Sequence, residues 1–156
     1  VACAGLEAAG VKRGGYQVKF STRKLLDAVL ENIGVAAGAY STRLIVLRAI
    51  DKFDRLGRQG VELLLGDGRK DESGDFTKGA GLDAKQRGAV IDLVTAGAGA
   101  RREVLERLAK IAGEAAIAEL REIDAALSAL GVDDAGACLF HTGVDAGHRG
   151  AFQPFP

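Results

Sequence analysis

Methionine and tryptophan are missing altogether, proline and cysteine occur twice each, and aromatic residues make up only 5% of the 156 residues. The two cysteines, Cys3 and Cys138, are far apart and outside any CxxC spacing, which excludes a disulfide framework and a cysteine zinc site. Both read as small core residues in a reducing compartment. Neither sign of charge dominates, because 21 basic residues balance 21 acidic ones. No overall field therefore draws the chain onto nucleic acid or a membrane, and any such binding has to use a local patch. No apolar run approaches the roughly 20 residues that span a bilayer, and the N-terminal residues lack the charged and apolar regions of a signal peptide. The expected location is cytoplasmic, with no membrane partner. A chain that begins at Val1 and holds no methionine reads as a piece of a longer protein.

What is present is a folded domain's worth of apolar residues, 47% of the chain, in helical periods broken by glycine. Residues 2–10 are alanine-rich and read as a helix ending at Gly10. The alternation in Gly15–Phe20 predicts a strand. Ser21 and Thr22 are N-cap candidates for a helix whose inward residues are Leu25, Leu26, Val29, Leu30 and Ile33, stopped by Gly34. Ser41 and Thr42 offer another cap. The run Arg43–Gly57 carries Val46, Ile50 and Phe53 on one stripe, with Leu47 and Leu56 beside it, and predicts one amphipathic helix. On its polar side Asp51 precedes Arg55, and Asp54 precedes Arg58, by four residues, a spacing that supports a helix through ion pairs. Arg48, Lys52 and Arg55 share a face, which reads at this level as a solvated surface. Further helices are predicted from a cap at Asp83 (Val90, Ile91, Val94), from Arg101 (Val104, Leu105, Leu108, Ile111) and through Ile117, Leu120, Ile123, Leu127 and Leu130. The stretch from Ala137 to Phe140 reads as a strand, and the residues after Phe140 have no period.

Between the helices lies GDGRKDESGDFTKGAGL, Gly66–Leu82, rich in glycine and charge. Such a shaped loop needs packing, a partner or a ligand to offset its ordering entropy. Spacing removes the common ligands. Lys78 is followed by Gly79 where a phosphate loop needs Ser or Thr. Asp67, Asp71, Glu72 and Asp75 lack the register of a calcium loop, so no metal site is assigned. Gly97 and Gly99 lack the third glycine and preceding strand of a dinucleotide fingerprint. His141 and His148 have no serine or cysteine in a recognisable motif nearby, so no catalytic residue is assigned.

As text, the run RLIVLRAIDKFDRLGRQGVELLLGDGRKDESGDFTKGAGL resembles the helical insertion of bacterial histidyl-tRNA synthetases. The upstream YQVKFSTRKLLDAVLENIG is similar to the strand and helix before that insertion, and AIAELREIDAALSALGVD to the helix that returns the chain to the catalytic core. The three blocks stand in the family's order over roughly residues 2–134.

The resemblance implies a mostly helical α+β piece, with short strands from a class II antiparallel core and an all-α insertion module. Residues 1–40 would be partial catalytic core, 41–112 the insertion, 113–137 the returning helix and 138–156 an irregular or non-native tail. The complete enzyme, a homodimer, would use ATP and magnesium to attach histidine to its tRNA, with the insertion packed on the acceptor stem. Arg48, Lys52, Arg55, Arg69, Lys70 and Lys78 then become candidate tRNA phosphate contacts. The family's arginine- and tyrosine-bearing segment of the form RGLxYYTG has no counterpart in CLFHTGVDAGHRGAFQPFP. No catalytic residue is therefore carried over, and the piece alone is expected to be inactive. Two alternatives are a noncatalytic regulatory paralogue in histidine biosynthesis and a free-standing helical RNA-binding module.

Overall fold

The computed structural model of the chain describes residues 2–12, 15–16, 18–132 and 138–140. Most of the expected 138–156 tail, with His141 and His148, lies outside these residues. The burial expected of Cys3 and Cys138 likewise falls on side chains outside the described set. The described residues form helices α1 (Ala2–Ala8), α2 (Arg23–Asn32), α3 (Tyr40–Ile50), α4 (Phe53–Leu65), α5 (Ala84–Thr95), α6 (Arg101–Ala112) and α7 (Glu114–Ala129), with strands β1 (Val18–Phe20), β2 (Gly68–Lys70), β3 (Phe76–Lys78) and β4 (Cys138–Phe140). This is the mostly helical α+β arrangement expected. None of these helices is long and apolar enough to cross a membrane.

At the centre stands α2. Thr22 caps it, its Oγ1 accepting from the Lys24 N–H at 3.4 Å, and Leu25, Leu26, Val29 and Leu30 are all buried. At this spacing they form one stripe, and each buried side chain contributes about 1.5–3 kcal/mol. The stripe packs against α5, α6 and α7, which supply Val90 and Ile91, Val104, Leu105 and Leu108, and Ile117 and Leu120 to the same core. The expected inward residues hold along most of the chain. Ile123 is only partly buried and Leu130 is exposed, because α7 runs past the core at its C-terminal end. Asp83 and Gln86 open α5 with a reciprocal capping box, and the Gln86 amide also donates to the Ile33 carbonyl at 2.9 Å, tying α5 to the end of α2.

Three expectations need correction. The helix read from Arg43 to Gly57 is two: α3 ends at Ile50, α4 begins at Phe53, and Gly57 inside α4 adopts φ 63, ψ −176, a conformation that favours glycine. The turn at Asp51 and Lys52 folds α4 back against α3. Both apolar stripes then reach the core, which one straight helix could not arrange. Val61, Leu64 and Leu65 thereby become the buried face of α4. The i,i+4 pairs Asp51–Arg55 and Asp54–Arg58 straddle this break or the Gly57 kink and are not formed among the described residues; Arg58 pairs instead with Glu62 at 2.9 Å. Next, α3 starts at Tyr40 with Ala39 as its cap, without a side-chain cap bond from Ser41 or Thr42. Finally, the segment expected to be all-α contains the antiparallel hairpin β2–β3, whereas β1, expected in an antiparallel sheet, pairs with β4 in parallel, Val18 opposite Cys138. A parallel pair needs a long crossover, which the helices between β1 and β4 provide.

Among the described residues Arg101 is the one buried charged side chain, 2% exposed. Its Nε donates to Asp124 Oδ1 at 2.7 Å, and its Nη2 donates to the Val132 carbonyl at 3.0 Å. The start of α6 is thus bound to α7 and the turn after it. At the other end of this helix pair, Arg121 reaches Glu114 at 2.9 Å and Glu106 at 3.4 Å. The hydrogen bond from Arg121 holds the Glu114 carboxyl below its ordinary range.

Removing one partner of a buried ion pair costs up to about 3–5 kcal/mol, and less where the remaining charge keeps other partners. Asp124→Ala should therefore lower the urea midpoint by an amount equivalent to more than about 1 kcal/mol, and Lys24→Ala, which breaks the exposed pair with Glu119, by less than about 1 kcal/mol. Equal losses would show that the Arg101 contact does not anchor the α6–α7 pair.

Candidate nucleic-acid interface

The glycine-rich stretch is a hairpin clasped onto the end of α4. A helix leaves its last carbonyls without intrahelical partners. Here the segment after β3 supplies them: the N–H of Ala80 reaches Leu64 O at 2.9 Å, Leu82 reaches Leu65 O at 2.9 Å, and Gly81 reaches Gly66 O at 2.8 Å. Such close backbone approach requires glycine. A Cβ at Gly79 would lie 2.1 Å from Gly66 O, and one at Gly68, where φ is 121, would lie 2.2 Å from Thr77 O.

At the tip, Asp71 Oδ1 accepts from the Ser73 hydroxyl at 2.6 Å and from the N–H groups of Ser73 and Asp75 at 3.0 Å each. These bonds, that of the Ser73 hydroxyl foremost, hold the Asp71 carboxyl below its ordinary range. The Asp71 carboxylate is thereby engaged inside the turn, Glu72 and Asp75 stay exposed at the tip, and the hairpin presents β3 to α3.

Between them lies a cleft of about 160 Å³. Ile45, Arg48, Ala49 and Lys52 line it from α3 and the turn after it, Leu64 from α4, and Thr77 and Lys78 from β3. Its floor is apolar, with Ala49 and Leu64 buried, and among the described residues its lining includes three cations and no carboxylate. Among the described residues none of Arg48, Lys52 and Lys78 joins an ion pair, whereas Arg43 pairs with Asp27, Arg58 with Glu62 and Arg121 with Glu114. Three uncompensated cations around an open cleft suit an anion, and a polyanion above all.

The other three expected residues stand apart from the cleft. Arg55 is exposed on α4 beyond the turn at Asp51 and Lys52, and Lys70 is exposed on β2. Arg69, half-buried, lies against α4 beside Gly60, whose Cβ would be 3.5 Å from its Nη1.

Comparison with known proteins agrees with the text of the sequence. The chain is 51% identical over 142 residues to a histidine–tRNA ligase of Caulobacter vibrioides, a match covering 86% of this chain and 28% of the relative. It is 61% identical over 90 residues to that of Rhodopseudomonas palustris, covering 57% of this chain and 18% of the relative. The chain belongs to the histidine–tRNA ligase family. A further member, from Methylocella silvestris, is 50% identical over 132 residues, covering 81% of this chain and 26% of the relative. The chain spans about a quarter of the length of the curated histidine–tRNA ligases it matches over most of its residues. No family model matches it, and no solved structure does.

Thr77 and the cleft floor carry no signal in the sequence. Leu64 and Ala49 are buried, and the folding of α4 against α3 brings both to the cleft. Ile45 carried a signal, since it stands off the inward stripe of Val46 and Ile50.

Gly79→Ala forces backbone apart and should cost about 2 kcal/mol or more. Gly88→Ala, in open space within α5, should gain about 0.5–1 kcal/mol; thermal unfolding of the two variants reads the difference, and a neutral Gly79→Ala would break the clasp argument. Because the folded-state carboxyl of Asp71 titrates below its unfolded value, its contribution is present above about pH 4 and is lost as pH falls through the folded value. Amide exchange at Asp75 should accelerate, relative to the intrinsic rate, on acidification below about pH 4, and Asp71→Asn should remove that dependence.

Proposed function

We propose that this chain serves the ATP-dependent joining of histidine to its tRNA within a cytoplasmic, homodimeric enzyme, and that residues 41–112 pack on the tRNA acceptor stem. The reading rests first on one observation, the 51% identity over 142 residues to a protein named histidine–tRNA ligase. The cleft supports the RNA contact. Arg48, Lys52 and Lys78 converge on it from separate elements without acidic partners, and phosphate oxygens are the groups such cations recognise without reading sequence. Arg55, Arg69 and Lys70 flank this centre and contribute less.

Magnesium belongs to the reaction by family resemblance. Among the described residues no three His, Cys, Asp or Glu side chains come together, so these residues do not fit a metal centre. The role of this chain is to hold and orient RNA. The chain alone is not expected to charge tRNA.

The test is fluorescence anisotropy with an acceptor-stem RNA hairpin of histidine tRNA, titrated at several salt concentrations. Each phosphate neutralised contributes about 0.7–0.9 to the slope of log affinity against log salt. A slope of about −2 to −3 is expected for the unaltered chain, falling by about one for each of Arg48→Glu, Lys52→Glu and Lys78→Glu. Lys12→Glu, outside the segment, should leave affinity within about twofold. Binding insensitive to salt, or equal losses at Lys12 and Lys78, would sink the proposal.

A further inference from the structure

Helix α3 lines the cleft with one side and is held from the other. At about 3.6 residues per turn, the cleft residues Ile45, Arg48 and Ala49 lie roughly 120–160° round the helix from Arg43. The Arg43 side chain is only 13% exposed. Its Nη1 donates to Asp27 Oδ1 at 2.7 Å, its Nη2 to the Val35 carbonyl at 3.0 Å and its Nε to the Ala36 carbonyl at 3.1 Å, while Glu31 Oε1 lies 3.5 Å from Nη2. Asp27 and Glu31 belong to α2, and Val35 and Ala36 to the segment that joins α2 to α3. One guanidinium therefore ties α3 to both.

Apolar packing and capping do this less completely. Ala39 opens α3 with no side-chain cap bond. A cavity of about 70 Å³ separates α2 from α3, with Leu26 and Leu30 on one wall, Leu47 on the other and the Arg43–Asp27 pair at its edge. Where side chains leave such a gap, the position of a helix depends on its polar ties. A planar guanidinium, with donors in a fixed fork, specifies that position better than an ammonium on a flexible stem. Arg43 also differs from Arg48, Lys52 and Lys78 in having two carboxylates beside it, so its charge is already compensated. From this arrangement we infer that Arg43 is a positioning residue for the RNA contact: its fork fixes α3 on α2 from behind and thereby sets where Arg48 and Lys52 stand opposite Lys78. This rests on the reading of residues 41–112 as an RNA-contacting segment and adds the internal tie that assembles its cations.

The test turns on the sign of an electrostatic effect. Asp27→Ala combined with Glu31→Ala removes both carboxylates from α2, a change that on charge alone strengthens attraction for a polyanion. If Arg43 positions α3, the same change should weaken binding of the acceptor-stem hairpin by about 2- to 30-fold. The salt slope should fall by about one with Arg48, Lys52 and Lys78 all present. Arg43→Lys, which keeps the charge and loses the fork, should share the loss. These variants leave the buried stripe of α2 untouched, and circular dichroism checks their folding. In the RNA-free chain of 156 residues, the amide resonances of Arg48 and Lys52 should move in the double variant. They should stay in place in Lys24→Ala, which removes a different ion pair of α2. If the unaltered chain shows no salt-dependent binding, the RNA reading fails and this inference with it. If it binds, and the double variant binds as tightly or more tightly, or Arg43→Lys matches the unaltered chain, the RNA reading stands and the inference falls. Unmoved Arg48 and Lys52 amides in the double variant would also overturn it.

Discussion

The arrangement of the candidate site depends on a short backbone clasp in which the segment leaving the hairpin donates its N–H groups to the last carbonyls of α4 and its cap. It solves two problems at once. A helix end inside a packed domain needs acceptors satisfied, and a charged loop needs a reason to be ordered. The clasp meets both, and it does so only because glycines at 66, 68 and 79 let two stretches of backbone approach to distances that any Cβ at 68 or 79 would block. Once it is closed, Leu82 is buried, Asp83 is positioned to cap α5, and Lys78 faces α3.

A second constraint is electrostatic. In a chain with balanced charge a cationic cleft arises because several carboxylates pair with other basic side chains and none lines the cleft. Asp27 and Glu31 go to Arg43, Glu62 to Arg58, Glu106 and Glu114 to Arg121, and Asp124 to the buried Arg101. Asp71 is turned into its own loop. Arg48, Lys52 and Lys78 are left around one cleft. Neutrality of the whole and a strongly biased local surface are therefore compatible, because field strength at a site depends on nearby unpaired charge and not on the sum over the chain.

The helices were largely legible in the residues. Leu25, Leu26, Val29 and Leu30 at helical spacing, a threonine before them and a glycine after them leave little freedom, and the same holds from Asp83 and from Arg101. The break after Ile50 was not legible. Asp51 and Lys52 carry no breaker signal, and the apolar stripe continues across them into Phe53 and Leu56. What ends α3 is the gain from folding Val61, Leu64 and Leu65 back into the core, a tertiary term that local propensity does not contain. The hairpin at 68–78 was hidden for a related reason: its strands are three residues each, too short to show alternation.

By itself the sequence determined the family, the mostly helical class, most of the inward-facing residues and the set of basic side chains worth attention, because each of these depends on residue identity and spacing along the chain. Which of those bases act together was decided only by the tertiary structure. Arg48 and Lys52 are separated from Lys78 by the whole of α4 and most of the hairpin, and only the turn at Asp51–Lys52 and the clasp at Gly79 close that distance. The same two features set Arg55 and Lys70 aside, since a charge contributes to a site through its position in space.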